Sequence, residues 1–191
     1  MSDLSVGSGP MPAEAAKRVR LVIFDVDGVL TDGGVYLGMA SSGETTELKR
    51  FNIQDGLGMK MLQWAGLEVV MISGRVSRAT EVRAAELGIA CYQDDGAQKL
   101  PVVRRLMEER GLEWEEVAML ADDLPDLSVF RQVGLRAAVA NAVPEVAGMA
   151  HWHTRLRGGE GAAREFSDAL LDARGELSWV VEKYLSERSE P

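Results

Sequence analysis

Val19-Arg20-Leu21-Val22-Ile23-Phe24-Asp25-Val26-Asp27-Gly28-Val29-Leu30-Thr31 is the stretch that decides the fold. Its first half is short, mostly apolar and without polar alternation. That pattern suits a strand covered on both faces, the mark of a parallel sheet. The run then stops on two acids and a glycine, where a strand end turns into a loop.

Working outward, further short apolar runs occur at Leu67–Ile72, Ile89–Tyr92, Val117–Leu120 and Leu135–Val139. Helical segments separate them at 56–65, 77–87, 99–110 and 123–132. Ser77 is placed to cap the second of these, and Pro101 sits in the first turn of the third. Gly66, Gly88, Gly111 and Gly134 each follow a helix, where a left-handed C′ residue belongs. Such alternation predicts an α/β fold: a three-layer, doubly wound, Rossmann-like parallel sheet.

One segment breaks the rhythm. Residues 32–51 hold two β-prone pieces around a turn-rich tip, Ser41-Ser42-Gly43-Glu44, and predict an inserted β-hairpin. Residues 1–18 are rich in Ser, Gly, Pro and Ala and predict a disordered tail. Residues 19–191 then form a single domain. Its last part, 157–191, is a glycine-rich loop followed by helices at 162–174 and 176–188. Leu177, Val180, Val181, Tyr184 and Leu185 make an apolar stripe there, read as core packing, with an oligomer contact as the second option.

Bulk properties exclude several functions. The chain has 191 residues, a net charge of -9 and a hydrophobic fraction of 46%. An acidic surface argues against a general nucleic-acid binder and against an anionic membrane. No stretch is long and apolar enough to span a bilayer. The single cysteine, Cys91, permits no internal disulfide and no thiolate metal cluster. A reducing cytoplasm is the expected location. His151 and His153 alternate on a strand-like stretch, but no third ligand accompanies them, so ordinary strand residues are expected.

Parallel sheets of this kind place ligands beyond the carboxyl ends of their strands. The first strand ends at Asp25-Val26-Asp27, the second at Ser73-Gly74-Arg75, and the fourth at Asp122-Asp123, with Asp126 one turn on. Lys99 opens the helix after the third strand. Asp25, Asp27 and Asp122 are hard oxygen donors suited to Mg2+. Lys99 and Ser73 supply a cation and a hydroxyl for phosphoryl oxygens. An in-line carboxylate, a metal and equatorial donors are the parts of a phosphoryl-transfer site. Any one of these motifs alone also fits a turn or a helix cap. Their joint occurrence in four segments carries the prediction.

Asp25-Val26-Asp27-Gly28-Val29-Leu30-Thr31, Ser73, Lys99 and Asp122-Asp123-Leu124-Pro125-Asp126 resemble the four motifs of haloacid dehalogenase superfamily phosphatases. A closer resemblance is to the 3-deoxy-D-manno-octulosonate 8-phosphate phosphatase family. Phe51-Asn52, Asp55-Gly56, Ile72–Arg75, Tyr92-Gln93 and Gly158-Gly159-x-Gly161-Ala162-x-Arg164-Glu165 carry it, over about residues 19–178.

This resemblance implies a haloacid dehalogenase fold with no large cap domain and a magnesium-dependent phosphatase of lipopolysaccharide precursor synthesis. It makes Asp25 nucleophile and metal ligand, forming an aspartyl-phosphate. Asp27 becomes general acid and then base, binding metal through its backbone carbonyl. Asp122 becomes the side-chain metal ligand, supported by Asp123 and Asp126. Ser73 and Lys99 hold the phosphoryl group. The resemblance further implies a homotetramer joined through the hairpin, with a neighbour's segment near 158–165 closing the site. Arg75, beside Gly74, follows the octulosonate pattern and suits the carboxylate of a sugar acid; Arg83 is a further candidate. A phosphatase for a nine-carbon ulosonate 9-phosphate is one alternative. A non-catalytic accessory subunit of a sugar-activating enzyme is another. Ala121 and Asp94 stand where the family usually has glycine, and Asn141-Ala142-Val143-Pro144 replaces Asp-Ala-His-Pro.

Overall fold

The computed structural model describes residues 9–39 and 41–189. In chain order its main elements are α1 (Ala13–Arg18), β1 (Leu21–Asp25), β2 (Tyr36–Met39), β3 (Thr45–Leu48), α2 (Ile53–Trp64), β4 (Glu68–Ser73), α3 (Arg78–Leu87) and β5 (Ala90–Gln93). Then come α4 (Lys99–Arg110), β6 (Val117–Ala121), α5 (Leu127–Phe130), β7 (Leu135–Ala138), α6 (Pro144–Ala147), β8 (Trp152–His153), α7 (Ala162–Arg174) and α8 (Leu177–Ser189).

Six strands form one parallel sheet in the order β5-β4-β1-β6-β7-β8. β1 lies inside it, between β4 and β6. Its alternate side chains serve two cores. Val22 and Phe24 pack with Met59, Leu62, Phe166 and Leu170 of α2 and α7. Leu21 and Ile23 pack with Val103, Leu106, Val129 and Phe130 of α4 and α5. Both faces are therefore apolar, which is why β1 reads as an unbroken run. The chain steps from β1 to β4 on one side and later returns to β6 on the other. That reversal opens a crevice at the carboxyl ends of β1 and β6.

β2 and β3 pair antiparallel as a separate two-stranded sheet. A bridge between Thr31 and Phe51 pins the base of this hairpin. Its apolar residues face outward: Leu37 is 69% exposed and Met39 80%.

Four expectations need correction. The expected tail is not loose throughout: α1 is helical, and Met11 and Ala16 are buried. Residues 1–8 of that tail lie outside the described residues. Arg174 ties α1 down. Its Nη1 donates to the carbonyls of Ala16 (3.0 Å) and Val19 (3.0 Å), at and just beyond the end of the helix, adding to the Val19 N–H bond that Ala16 already accepts. Arg174→Ala is therefore expected to lower stability by about 1–3 kcal/mol, read as a drop in the urea midpoint. An unchanged midpoint would remove the tether from the account.

Gly134 is not a left-handed cap. A Cβ there would lie 2.6 Å from the Glu115 backbone, so close approach is the reason for glycine. Gly66, Gly88 and Gly111 do adopt positive φ, as expected. Ser77 stands at the N-cap of α3, but its hydroxyl makes no cap bond; its N–H instead donates to Gln93 Oε1 (2.7 Å). In the α8 stripe only Val180 is buried outright. Tyr184 packs on Trp64 at 5.6 Å, while Leu185 is exposed. Core packing accounts for half of that stripe.

His151 lies against the Arg136 guanidinium, and His153 Nε2 meets the Ala147 carbonyl at 2.9 Å. Neither faces a metal-ligand cluster among the described residues. Burial, reinforced by Glu81, pushes the Cys91 thiol up to about 11. No described helix is long and apolar enough to cross a membrane.

Candidate active site

β1 ends on Asp25, and the chain leaves it through a kinked turn, Val26–Leu30. Asp27 there has φ −82° and ψ 108°, and Gly28 has φ 94°. The turn is tight because Asp122 sits against it: a Cβ on Gly28 would fall 2.0 Å from Asp122 Oδ2. Thr31 helps hold it, its hydroxyl accepting from Gly28 N–H at 3.3 Å.

A cavity of about 190 Å³ opens at this edge, lined by Asp25, Asp27, Gly74, Arg75, Lys99, Asp122, Asp123 and Asp126 among others. A much larger cleft, about 1060 Å³, lies between the N-terminal segment and α7. It gathers no comparable set of carboxylates around a lysine, so chemistry outweighs size in choosing the site.

Carboxylate oxygens of Asp25, Asp122 and Asp126 lie within 4.8 Å of one another. Lys99, buried at the start of α4, donates to Asp25 Oδ1 and to Asp126 Oδ1 (2.5 Å). Asp126 Oδ2 accepts from Asp122 N–H at 3.3 Å. Asp126 thus orients both Lys99 and the Asp122 backbone. Asp123 plays a structural part, accepting from Leu124 N–H at 2.7 Å.

One lysine does not balance three acids. Burial first, and then the neighbouring Asp126 charge, push Asp25 up to about 7 against the opposing pull of Lys99. Burial, Asp25 and Asp126 push Asp122 up to about 9. Burial disfavours the Lys99 ammonium, but Asp25 and Asp126 outweigh it and hold it above the usual lysine range. Asp122 Oδ1 is buried with no hydrogen-bond partner. Hard oxygens, excess negative charge and an unpartnered carboxylate oxygen together fit a divalent cation.

The sign of the pH dependence follows. Both acids bind protons in the folded state at pH values where the unfolded chain has lost them, so stability falls as pH rises from about 4 toward 9. In EDTA, stability is expected to be at least about 2 kcal/mol lower at pH 9 than at pH 5. Asp122→Asn should flatten that slope. A urea midpoint that rises between pH 5 and pH 9 would contradict this electrostatic picture.

The remaining expected residues divide. Asp27 points its carboxylate away from the acidic cluster, toward Lys49 Nζ (2.5 Å) and Ser73 Oγ (3.2 Å). The third carboxylate beside Asp25 and Asp122 is Asp126 instead. Ser73 Oγ also accepts from Arg75 N–H at 3.1 Å, so it shapes the loop as well as facing the site. Gly74 and Arg75 line the cavity. Arg75 is half-exposed and pairs with Glu47 at 2.8 Å. Arg83 is not at the mouth: its side chain bonds Glu86 (2.9 Å) and approaches the Asn52 carbonyl (3.4 Å).

The glycine loop packs inward. Gly158 and Gly159 are buried against their own chain's first motif, with Gly159 N–H donating to the Val29 carbonyl at 3.1 Å. Asn141 staples the same place, donating to the Gly28 carbonyl (2.9 Å) and accepting from Gly158 N–H (2.7 Å). An aspartate there would lack the donor. Asp94 is spent on its own loop, accepting from Gly96 N–H (3.0 Å) and Gln98 N–H (3.1 Å). The Ala121 methyl is absorbed in the core against α4 and α5.

Glu47, Lys49 and Asn141 escaped the sequence reading as site residues. Glu47-Leu48-Lys49-Arg50 looks like a solvated strand end. The only local signal was that Glu47 and Lys49 share one face, opposite Leu48.

Comparison with known proteins decides the family. Residues 93–166 match the haloacid dehalogenase-like hydrolases. The 3-deoxy-D-manno-octulosonate 8-phosphate phosphatase KdsC of Escherichia coli K12 is 41% identical, across 92% of this chain and 93% of its own. The chain belongs to this phosphatase family of haloacid dehalogenase-like hydrolases. Two solved members share the fold. The Yersinia pestis 3-deoxy-D-manno-octulosonate 8-phosphate phosphatase is 42% identical with a TM-score of 0.79, covering 87% of this chain and 88% of its own. The Moraxella catarrhalis enzyme is 34% identical with a TM-score of 0.82, covering 90% of this chain and 97% of its own; its crystal holds a magnesium ion, a phosphate ion and KDO. The protein is a phosphoric monoester hydrolase with this family's parallel-sheet fold.

Proposed function

We propose that the protein hydrolyses 3-deoxy-D-manno-octulosonate 8-phosphate to the sugar acid and phosphate, with Mg2+, in the cytoplasm, as a step of lipopolysaccharide precursor synthesis. One observation carries the reading. Asp25, the partnerless oxygen of Asp122 and the Asp126-braced Lys99 converge on one cavity at the end of β1. The relatives named above supply the substrate, and the Moraxella catarrhalis complex supplies the metal.

Asp25 and Asp122 are the side chains that would hold Mg2+, with the Asp27 carbonyl. Bound there, the cation would neutralise the acids and draw charge from phosphoryl oxygens. The chain's own residues do the rest. An Asp25 oxygen attacks phosphorus as the bond to the sugar oxygen breaks, giving an aspartyl-phosphate. Asp27 protonates the departing alcohol and then takes a proton from the water that releases phosphate. Lys99 keeps Asp25 oriented and offers positive charge to the phosphoryl group. Arg75, at the mouth, suits the sugar carboxylate.

A homotetramer built through the hairpin is part of this proposal. The outward Leu37, Met39 and Leu48 support it, being an apolar surface that a monomer would leave wet. Light scattering at working concentration should give four times the chain mass; a monomer there would end that part of the reading.

The deciding experiment is a rate comparison of eight-carbon and nine-carbon ulosonate phosphates, with Mg2+ and with EDTA. The eight-carbon substrate should be preferred at least about tenfold, which is about 1.4 kcal/mol of discrimination. A preference for the nine-carbon substrate would replace the substrate and keep the chemistry. No turnover of any phosphate monoester would leave an accessory subunit.

A further inference from the structure

We infer that Lys49, carried by the base of the inserted hairpin, is the positioning residue of the general acid Asp27; this rests on the acid–base role of Asp27 proposed above. Asp27 lies on a turn whose backbone departs from helical geometry, and among the described residues the hydrogen bonds to its side chain come from outside that turn. Its partners come from elsewhere. Ser73, at the end of β4, is 3.2 Å away, but the same hydroxyl also lies 3.0 Å from the Arg75 carbonyl. Arg75 Nη1 is 3.8 Å away on a side chain 47% exposed. Lys49 Nζ is 2.5 Å from Asp27 Oδ1, on a side chain only 1% exposed.

A buried lysine leaves water at a cost of several kcal/mol unless it is paired. Among the described residues, Asp27 is the carboxylate that pairs with Lys49. The two therefore fix each other: a charge-assisted contact of this length restricts the carboxyl rotamer far more than the hydroxyl does. Proton delivery to a leaving oxygen needs that restriction, because the acid must meet the oxygen as the bond breaks. Lys49 moves no proton and touches no phosphoryl oxygen in this account. It places the group that does.

Leaving-group dependence tests this. Alkyl phosphates release a basic alkoxide and need the acid; p-nitrophenyl phosphate releases a stable phenolate and needs it little. Lys49→Met should cut kcat for a sugar or alkyl phosphate about 100-fold, and for p-nitrophenyl phosphate less than about fivefold. Lys49→Arg should restore most of the alkyl rate. Lys49→Gln, which keeps a donor and the length, should fall between them, and serves if the methionine variant does not fold. Equal losses on both substrates, or no loss on either, would overturn the assignment of Lys49. Asp27→Asn run alongside separates the two readings. If it too loses both substrates equally, the acid role of Asp27 fails; if it shows the split and Lys49→Met does not, only the positioning role fails.

Discussion

Asp25→Asn is expected to abolish turnover, by on the order of 10⁴-fold or more, while making the metal-free protein more stable at alkaline pH. The two effects have one origin. Asp25 is buried among Asp122 and Asp126, and folding holds it there at the expense of its charge, as its rise to about 7 records. Asparagine keeps the shape, removes the nucleophile and removes one of three repelling charges. Loss of activity with p-nitrophenyl phosphate and Mg2+ measures the first effect. A higher urea midpoint in EDTA at pH 8 measures the second. Activity above about 1% of the parent would mean that another group attacks phosphorus. A lower midpoint would mean that the Lys99 contact outweighs the repulsion.

Gly158→Ala is expected to be the most destabilising alanine substitution among the described glycines. Its Cβ would lie 1.8 Å from the Gly28 carbonyl oxygen, 2.4 Å from the Gly28 carbonyl carbon and 2.9 Å from the Thr31 oxygen. All three are backbone atoms, so no side chain can swing aside. The glycine loop, the Asn141 staple or the Gly28 turn must move. A loss of about 3 kcal/mol is expected, with a fall in activity, because the displaced turn carries Asp27. Gly38→Ala is the control: its nearest neighbour would be 3.8 Å away, and about 0.5 kcal/mol or less should be lost. Equal midpoints for the two variants would show that the loop does not press on the first motif.

How legible this was in the sequence depended on the kind of contact. β1, β4 and β6 announced themselves because both faces of a central parallel strand are apolar. Asp25, Asp122 and Lys99 could be read because topology alone brings strand ends together. Lys49 could not. A lysine in a charged stretch looks solvated, and only the folded hairpin buries it against Asp27. The order of α1 was hidden for a similar reason: its carbonyls are held by Arg174, 155 residues from Val19. Arg83 misled because a helical face does not reveal which way an arginine reaches. The close backbone packing that requires glycine at 158 and 159 left no mark in the sequence, where the two read only as part of a glycine-rich loop.

The bridge between Thr31 and Phe51 has a further consequence. It closes the insertion at its neck, so the chain leaves and re-enters the body of the protein at one point. Among the described residues, the side-chain bonds from the hairpin to the catalytic loops involve Glu47 and Lys49, close to that neck. The outer arm can therefore lengthen, shorten or change its binding surface while the nucleophile stays where it is. The molecule divides into a part held constant by chemistry and a part open to diversification, and the boundary between them runs through the Thr31–Phe51 bridge and the two contacts just outside it.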